Sequence, residues 1–197
     1  PVKQKLENFN IKKINKEKLF NFLREMEFNR LLSQVISDYG EPIEKKKENN
    51  KNITKFDLQK YQTILKIDEL DQWIEKIEEK GIVAVDVETD SLNPHEANLV
   101  GISLCFESGK ACYIPLKHQT EKVLEKKIVL EKLKIILEDK SIKKIGQNIK
   151  FDFIIFLRNK IKLNPIEDTM LMSYALDAGK HRHNMDNLSE IHLNHKP

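Results

Sequence analysis

The chain carries few of the residues that commit a protein to a special environment. Only two of its 197 residues are cysteine, Cys105 and Cys112. They form no Cys-x-x-Cys pair and both sit in strand-like apolar surroundings, so buried reduced thiols are expected and not a disulfide framework. No apolar run reaches the ~18 residues of a membrane span, and the first residues show no signal-peptide pattern. The reading is a cytoplasmic protein with no membrane partner. Charge of one sign is not in excess. Lys and Arg total 34 against 31 Asp and Glu, and the net charge of +3 is too small to argue by itself for a polyanionic partner. The abundance of Lys, Ile and Asn also follows from an AT-rich genome. There is no internal repeat, and low complexity is confined to one Lys- and Asn-rich stretch. No initiator Met opens the chain, so a piece of a longer protein is expected. What is present, 40% hydrophobic and 33% charged residues, suits a monomeric globular domain with an appendage.

The chain is organised around residues 82–92, Ile-Val-Ala-Val-Asp-Val-Glu-Thr-Asp-Ser-Leu. The β-branched residues Ile82, Val83 and Val85 predict a strand buried on both faces. Alternation then places Asp86 and Glu88 on one face, roughly 6–7 Å apart. Two carboxylates at the end of such a strand are costly unless a positive charge joins them. A divalent cation with a preference for oxygen, Mg²⁺ or Mn²⁺, is the simplest solution. The bland alternative is that Asp86 caps the strand end and Glu88 points to solvent.

Around this strand the pattern predicts an α/β protein. Residues 16–37 form an amphipathic helix capped by Asn15, whose apolar stripe needs a partner. Residues 41–57, rich in Lys, Glu and Asn, form a flexible linker. A compact domain follows. Its expected elements are a strand at 61–67, a helix capped by Asp68 and ended by Gly81, and the key strand. Further strands fall at 99–106 and 111–115, joined through Gly109, with a helix at 125–138 and a strand at 142–145. Helices at 148–159 and 167–177 and one opening near 186 complete the order, which suggests a mixed sheet with helices on both faces.

A second cluster is Gly146-Gln147-Asn148-Ile149-Lys150-Phe151-Asp152. On a continuous helix Asn148 and Asp152 share one face. Phe151, Phe153, Ile154 and Phe156 make much of that helix apolar, so Asp152 is expected to face a cleft.

These two stretches carry a resemblance. They are joined in order by Ala-Asn-Leu-Val-Gly-Ile-Ser at 97–103, Tyr-Ile-Pro-Leu-x-His at 113–118, Glu-Asp-Thr-Met-Leu at 167–171 and Arg-His-Asn-Met-Asp-Asn-Leu at 182–188. Together they resemble the 3′→5′ proofreading exonuclease domain of the family-A bacterial DNA polymerases, polymerase I, over residues 58–195. Met26-Glu27-Phe28-x-x-Leu31-Leu32 is similar to the end of the 5′-nuclease region of those polymerases. The implied organisation is a 5′-nuclease tail at 1–40, a linker at 41–57 and an exonuclease domain at 58–197.

The resemblance implies a ribonuclease H-like fold of the DEDD exonuclease type. Asp86, Glu88 and Asp152 match the catalytic, metal-holding carboxylates, with two Mg²⁺ or Mn²⁺ ions as cofactors. Thr89, Leu92, Asn148 and Phe151 match substrate-binding positions, Leu92 as a wedge against the 3′-terminal base. The implied partners are a single-stranded or frayed DNA 3′ end and the polymerase and 5′-nuclease domains of the same parent chain. A wedge favours frayed ends because unpairing costs less there.

The family's third motif, Tyr-x-x-x-Asp, does not occur between Asp152 and Pro197. Tyr174 and Asp177 are one residue too close, and a packed Tyr174 is expected. A chain that stops before the motif is the simplest expectation. Two alternatives stay open: a catalytically silent scaffold that binds single strands or supports a polymerase, and an RNA-trimming exonuclease of the ribonuclease D type. His181, His183, His192 and His195 lack the cysteine or acidic partners of a zinc site and are expected at the surface. Asp168 and Asp186 are expected to cap helices, and Asp90 to lie at the rim of the site.

Overall fold

A computed structural model describes residues 3–10, 13–40, 61–119 and 122–196. The expected linker at 41–57 and the start of the following domain lie outside the described residues. The chain divides into two compact units, Pro1–Asn50 and Lys51–Pro197.

In the first unit the expected single helix is two: α1, Lys16–Glu25, and α2, Asn29–Tyr39. Apolar spacing alone does not register the three-residue break at 26–28. Glu27 takes a left-handed φ of 55°, and the Phe28 N–H returns to Leu23 O at 2.9 Å. The Phe22 and Phe28 rings meet edge to face across the turn, 6.2 Å apart. Asn15 caps α1 as expected, its Oδ1 accepting the Lys18 N–H at 3.0 Å. The two helices pack together, and Lys16 Nζ donates to Tyr39 O at 2.9 Å. Phe20 and Leu23 are buried, while Phe22, Met26, Phe28 and Leu31 remain exposed.

The second unit is a six-stranded mixed sheet flanked by helices. Its strands are β1, Gln62–Thr63; β2, Ile82–Thr89; β3, Leu99–Glu107; β4, Lys110–Pro115; β5, Lys143–Gly146; and β6, Ile166–Asp168. Their order is β1-β4-β3-β2-β5-β6. β2 pairs antiparallel with β3 and parallel with β5, and β5 pairs parallel with β6. The first strand is shorter than the expected 61–67. β6 occupies the start of what alternation alone reads as a helix, because Ile166–Asp168 is too short to show a period.

The helices are α3, Ile67–Lys80; α4, Lys126–Glu138; α5, Lys150–Arg158; α6, Thr169–Asp177; and α7, Met185–Leu188, continued by a wide turn at Ser189–Leu193. Asp68 does not cap α3. The helix starts two residues earlier, at Ile67, and the Glu69 carboxylate takes the Leu65 and Lys66 N–H groups at 3.2 and 3.3 Å. Gly81 ends it in the left-handed region, as expected. Leu70, Trp73, Ile74 and Ile77 of α3 join Val129, Leu133 and Ile136 of α4 in the core.

One face of β2, Val83, Val85 and Val87, belongs to this core. The other face is not buried as expected. Ile82 and Ala84 are half-buried, and Asp86 and Glu88 are exposed. A lysine supports the same region from within. Lys144 on β5 is fully buried, and its Nζ donates to Ile136 O (3.1 Å), Asp139 O (2.5 Å) and Ile142 O (2.6 Å). These acceptors include carbonyls at the end of α4, where a cation is favoured.

Candidate active site

β2 outruns its parallel neighbour. The β2–β5 pairing ends at Ala84↔Ile145, while β2 continues beside β3 with Asp86 opposite Ser103 and Glu88 opposite Gly101. The two carboxylates therefore stand where β5 has stopped and the chain turns into α5. At that turn Gly146 is pressed against Ile149: a Cβ there would lie 2.8 Å from the Ile149 side chain. Such close approach brings the first turn of α5 back towards β2.

The turn departs from the expected continuous helix. Asn148 has a left-handed φ of 56°, and α5 begins only at Lys150. Asn148 and Asp152 thus do not share a helical face. The cause is Asp168 on β6. Its Oδ1 accepts the Asn148 N–H at 3.0 Å and the Met170 N–H at 2.9 Å, and its Oδ2 accepts the Ile149 N–H at 3.1 Å. One carboxylate thereby caps α6, as expected, and also holds the loop leading into α5.

Asp152 lies in the first turn of α5 and is only 4% exposed. Its Oδ1 accepts the Val87 N–H at 3.0 Å. This is the bond that joins the two acidic segments, because Val87 stands between Asp86 and Glu88. Burial, and then the nearby charge of Asp86, push the Asp152 carboxyl up to about 7. The Val87 N–H and its own N–H oppose that shift, and Asp168 adds to it. The Asp86 carboxyl, although the residue keeps contact with solvent, is also raised, first by partial desolvation and then by Glu88. Among the described residues no cationic side chain offsets either shift.

Carboxyls raised by desolvation and then by a neighbouring charge, Asp86 by Glu88 and Asp152 by Asp86, at the end of a central strand and the start of α5, have the donor chemistry of a hard divalent cation. Among the described residues no three His, Cys, Asp or Glu side chains are already gathered as a metal site. The fit rests on charge and donor type, not on a preformed cage.

The other expected substrate positions lie on the end of β2, on the loop after it and on the segment that opens α5. Thr89 follows a bulge in the β2–β3 register and donates its hydroxyl to Ser91 O at 2.9 Å. Leu92 is 94% exposed on the loop after β2. Asn148 is exposed, and Phe151 is half-buried against the core. Asp90 does not merely mark a rim. Its carboxylate closes the loop on Asn98, and two hydrogen bonds from Asn98 hold its pKa low.

Several contributors had no clear sequence signal. A cavity of about 300 Å³ opens beside Asp86, lined by Ala84, Gly146, Gln147, Thr169 and Met185 among others. Gln147 orders its edge, donating to His183 O at 2.8 Å and accepting from the Thr169 hydroxyl at 2.5 Å. Gly101, opposite Glu88, is covered by the Tyr113 ring, and a Cβ there would collide with the Tyr113 hydroxyl. Burial and then the Glu88 charge raise the Tyr113 phenol. Only the glycine inside a strand could have signalled this close approach.

The C-terminal elements differ from expectation in two places. Tyr174 is 60% exposed, its ring meeting that of His183 edge to face with centroids 5.3 Å apart, and is not packed in the core. Asn184, not Asp186, stands at the cap of α7. Both cysteines are free, and burial pushes the Cys112 thiol up to about 12. None of the helices among the described residues is long and apolar enough to cross a membrane.

Comparison with known proteins agrees with this geometry. Residues 61–196 match the 3′-5′ exonuclease family of the A-type DNA polymerases. DNA polymerase I of Rhizobium leguminosarum is 38% identical over 162 residues, covering 72% of this chain and 16% of that protein. DNA polymerase I of Pseudomonas aeruginosa is 34% identical over 186 residues, covering 91% and 20%. The chain thus spans a fifth or less of these relatives. In structure it is similar to Escherichia coli RNase D (TM-score 0.56, 21% identity, 70% of this chain and 34% of that one). It is also similar to Brucella melitensis NrnC with bound Mg²⁺ (TM-score 0.54, 22% identity, 70% and 62%). At such identities these two likenesses speak for the fold alone, ribonuclease H-like. The chain belongs to the 3′-5′ exonuclease family that is found in DNA polymerase I.

Proposed function

We propose that this domain removes nucleotides one at a time from DNA 3′ ends, as the proofreading part of a cytoplasmic DNA polymerase I. The products are nucleoside monophosphates. The observation that carries the reading is the Val87 N–H bond to buried Asp152, which fastens the second acidic segment between Asp86 and Glu88. Asp86, Glu88 and Asp152 would hold Mg²⁺ or Mn²⁺, two ions in the complete domain. Bound divalent cations supply Lewis-acid polarisation of the phosphodiester and acidify water.

The chain's own residues do the rest. Asp152 is poised with its carboxyl raised to about 7, so its charge is available near neutral pH when a cation compensates it. Thr89, Asn148 and Phe151 line the approach of the terminal nucleotide, and Leu92 presents an apolar edge to its base. In this reading residues 1–40 belong to a 5′-nuclease region, 41–57 to a linker and 58–197 to the exonuclease domain, working as a monomer beside the polymerase domain of the same parent chain.

The test is incubation with 5′-labelled single-stranded DNA and Mg²⁺, beside Asp86→Ala and an RNA of the same sequence. A ladder shortening from the DNA 3′ end, lost in the variant, supports the reading. Preference for RNA would favour the ribonuclease D type. DNA binding without any cleavage would fit a chain that lacks the third motif or a silent scaffold, and cleavage restored by a C-terminal extension carrying Tyr-x-x-x-Asp would decide for the first.

A further inference from the structure

The loop between β2 and β3 is fastened at nearly every turn, yet its leucine touches almost nothing. Asp90 closes the base: its Oδ1 accepts the Asn98 N–H at 2.7 Å, its Oδ2 accepts the Asn98 amide at 3.0 Å, and its own N–H donates to Asn98 O at 3.2 Å. Inside the loop the Asn93 N–H donates to Ser91 Oγ at 3.1 Å, and Asn93 O accepts the N–H groups of Glu96 and Ala97 at 3.1 and 2.9 Å. Arg158, the last residue of α5, holds the outer wall. Its Nη1 donates to Pro94 O at 3.0 Å and to Ala97 O at 2.5 Å. Leu92 nonetheless remains 94% exposed. A preorganised loop loses little freedom when a ligand meets it, so an apolar side chain displayed on one suits contact better than packing.

Arg158 also ties this loop to a particular element. α5 carries Asp152 in its first turn and Arg158 at its end. The loop follows β2, which carries Asp86 and Glu88. The same arginine therefore links the leucine-bearing loop to the helix that supplies the buried carboxylate.

We propose that Arg158 is a positioning residue: by clamping Pro94 and Ala97 to the end of α5, it fixes Leu92 relative to the carboxylates so that the leucine parts the 3′-terminal base from its neighbour. This rests on the exonuclease reading above and assigns a determinant of end selectivity outside the carboxylate set. Truncating Arg158 leaves Leu92 in place chemically but frees the loop wall. Misplacement by about an ångström is enough to lose much of an oriented contact.

The experiment measures the protein and its Arg158→Met, Arg158→Lys, Leu92→Ala and double Leu92→Ala/Arg158→Met variants in two ways. The first is fluorescence of a DNA duplex carrying 2-aminopurine next to its 3′ end, bound in EDTA so that unstacking is read without chemistry. The second is the ratio of kcat/KM for mispaired over paired 3′ ends with Mg²⁺. Melting curves check that each variant is folded.

The expected result is a fluorescence rise with the wild type that Leu92→Ala and Arg158→Met both remove, and a selectivity ratio that each lowers by about tenfold. Arg158→Lys restores part of both. The double variant matches Leu92→Ala alone, because the arginine acts through the leucine. Wild-type behaviour of Arg158→Met in both readouts, or additive losses in the double variant, would overturn the assignment. If the wild type shows the fluorescence pattern but cleaves no DNA even with a C-terminal extension carrying Tyr-x-x-x-Asp, the loop clamp stands as a DNA-binding device and the exonuclease reading fails. If it cleaves DNA and Arg158→Met changes neither readout, only the positioning role fails.

Discussion

Replacing Asp152 by Asn should stabilise the metal-free protein while removing its activity. Asp152 is buried, and its carboxyl is raised from an ordinary 3.8 to about 7, first by burial and then by Asp86. A raised folded-state pKa means that folding favours the protonated form. The contribution to stability is fully present below about pH 4 and is lost as the pH climbs through about 7. At pH 8 the gap between 3.8 and about 7 corresponds to a penalty of about 4 kcal/mol for keeping the charge buried. Asparagine keeps the size, carries no charge, and offers an amide oxygen to the Val87 N–H that Asp152 now accepts at 3.0 Å. Urea unfolding in EDTA at pH 4, 6 and 8 measures the difference directly. Asp152→Asn should match the wild type near pH 4 and gain up to about 4 kcal/mol at pH 8, a rise of about 10 °C in Tm. Saturating Mg²⁺ should then stabilise the wild type more than the variant, because only the wild type presents the full carboxylate set. A variant less stable than the wild type at pH 8, or a difference that ignores pH, would refute this electrostatic reasoning.

Three further substitutions probe the supports around the site. Lys144→Met removes three hydrogen bonds, two of them buried, and should cost about 2–4 kcal/mol in urea unfolding. Asp168→Ala frees the Asn148, Ile149 and Met170 N–H groups together; it should cost about 1–2 kcal/mol and speed hydrogen exchange at those amides. Gly101→Ala drives a methyl group into the Tyr113 hydroxyl beside Glu88, and should lower Tm by a few degrees and reduce nuclease activity, with Tyr113→Ala relieving the loss of stability.

The strand at Ile82–Thr89 was legible because its β-branched run and its alternating carboxylates are both local signals. Helices α3 and α4 were legible from their apolar period, and the two acidic segments from their spacing and the resemblance they carry. What sequence did not reveal are the contacts that join distant segments. Nothing local at Asp168 says that it reaches back about twenty residues to the Asn148 and Ile149 amides, so Asn148 reads as part of a helix when it is a left-handed turn residue. Nothing local marks Lys144 as buried, yet carbonyls near the end of α4 draw it into the core. Glu27 breaks a helix whose apolar spacing continues across the break. The exposed side of β2 misled for a related reason. Apolar residues such as Ile82 and Ala84 look the same in a strand covered on both faces as in one with an open face beside a cavity.

The most direct measurement is a Mn²⁺ titration of the ¹⁵N-labelled protein, following paramagnetic broadening of backbone amides. Broadening should begin at Asp86, Val87, Glu88 and Asp152 together and should disappear in Asp86→Asn and Asp152→Asn. Broadening centred elsewhere, or unchanged in those variants, would contradict a divalent-metal exonuclease site built from these three carboxylates.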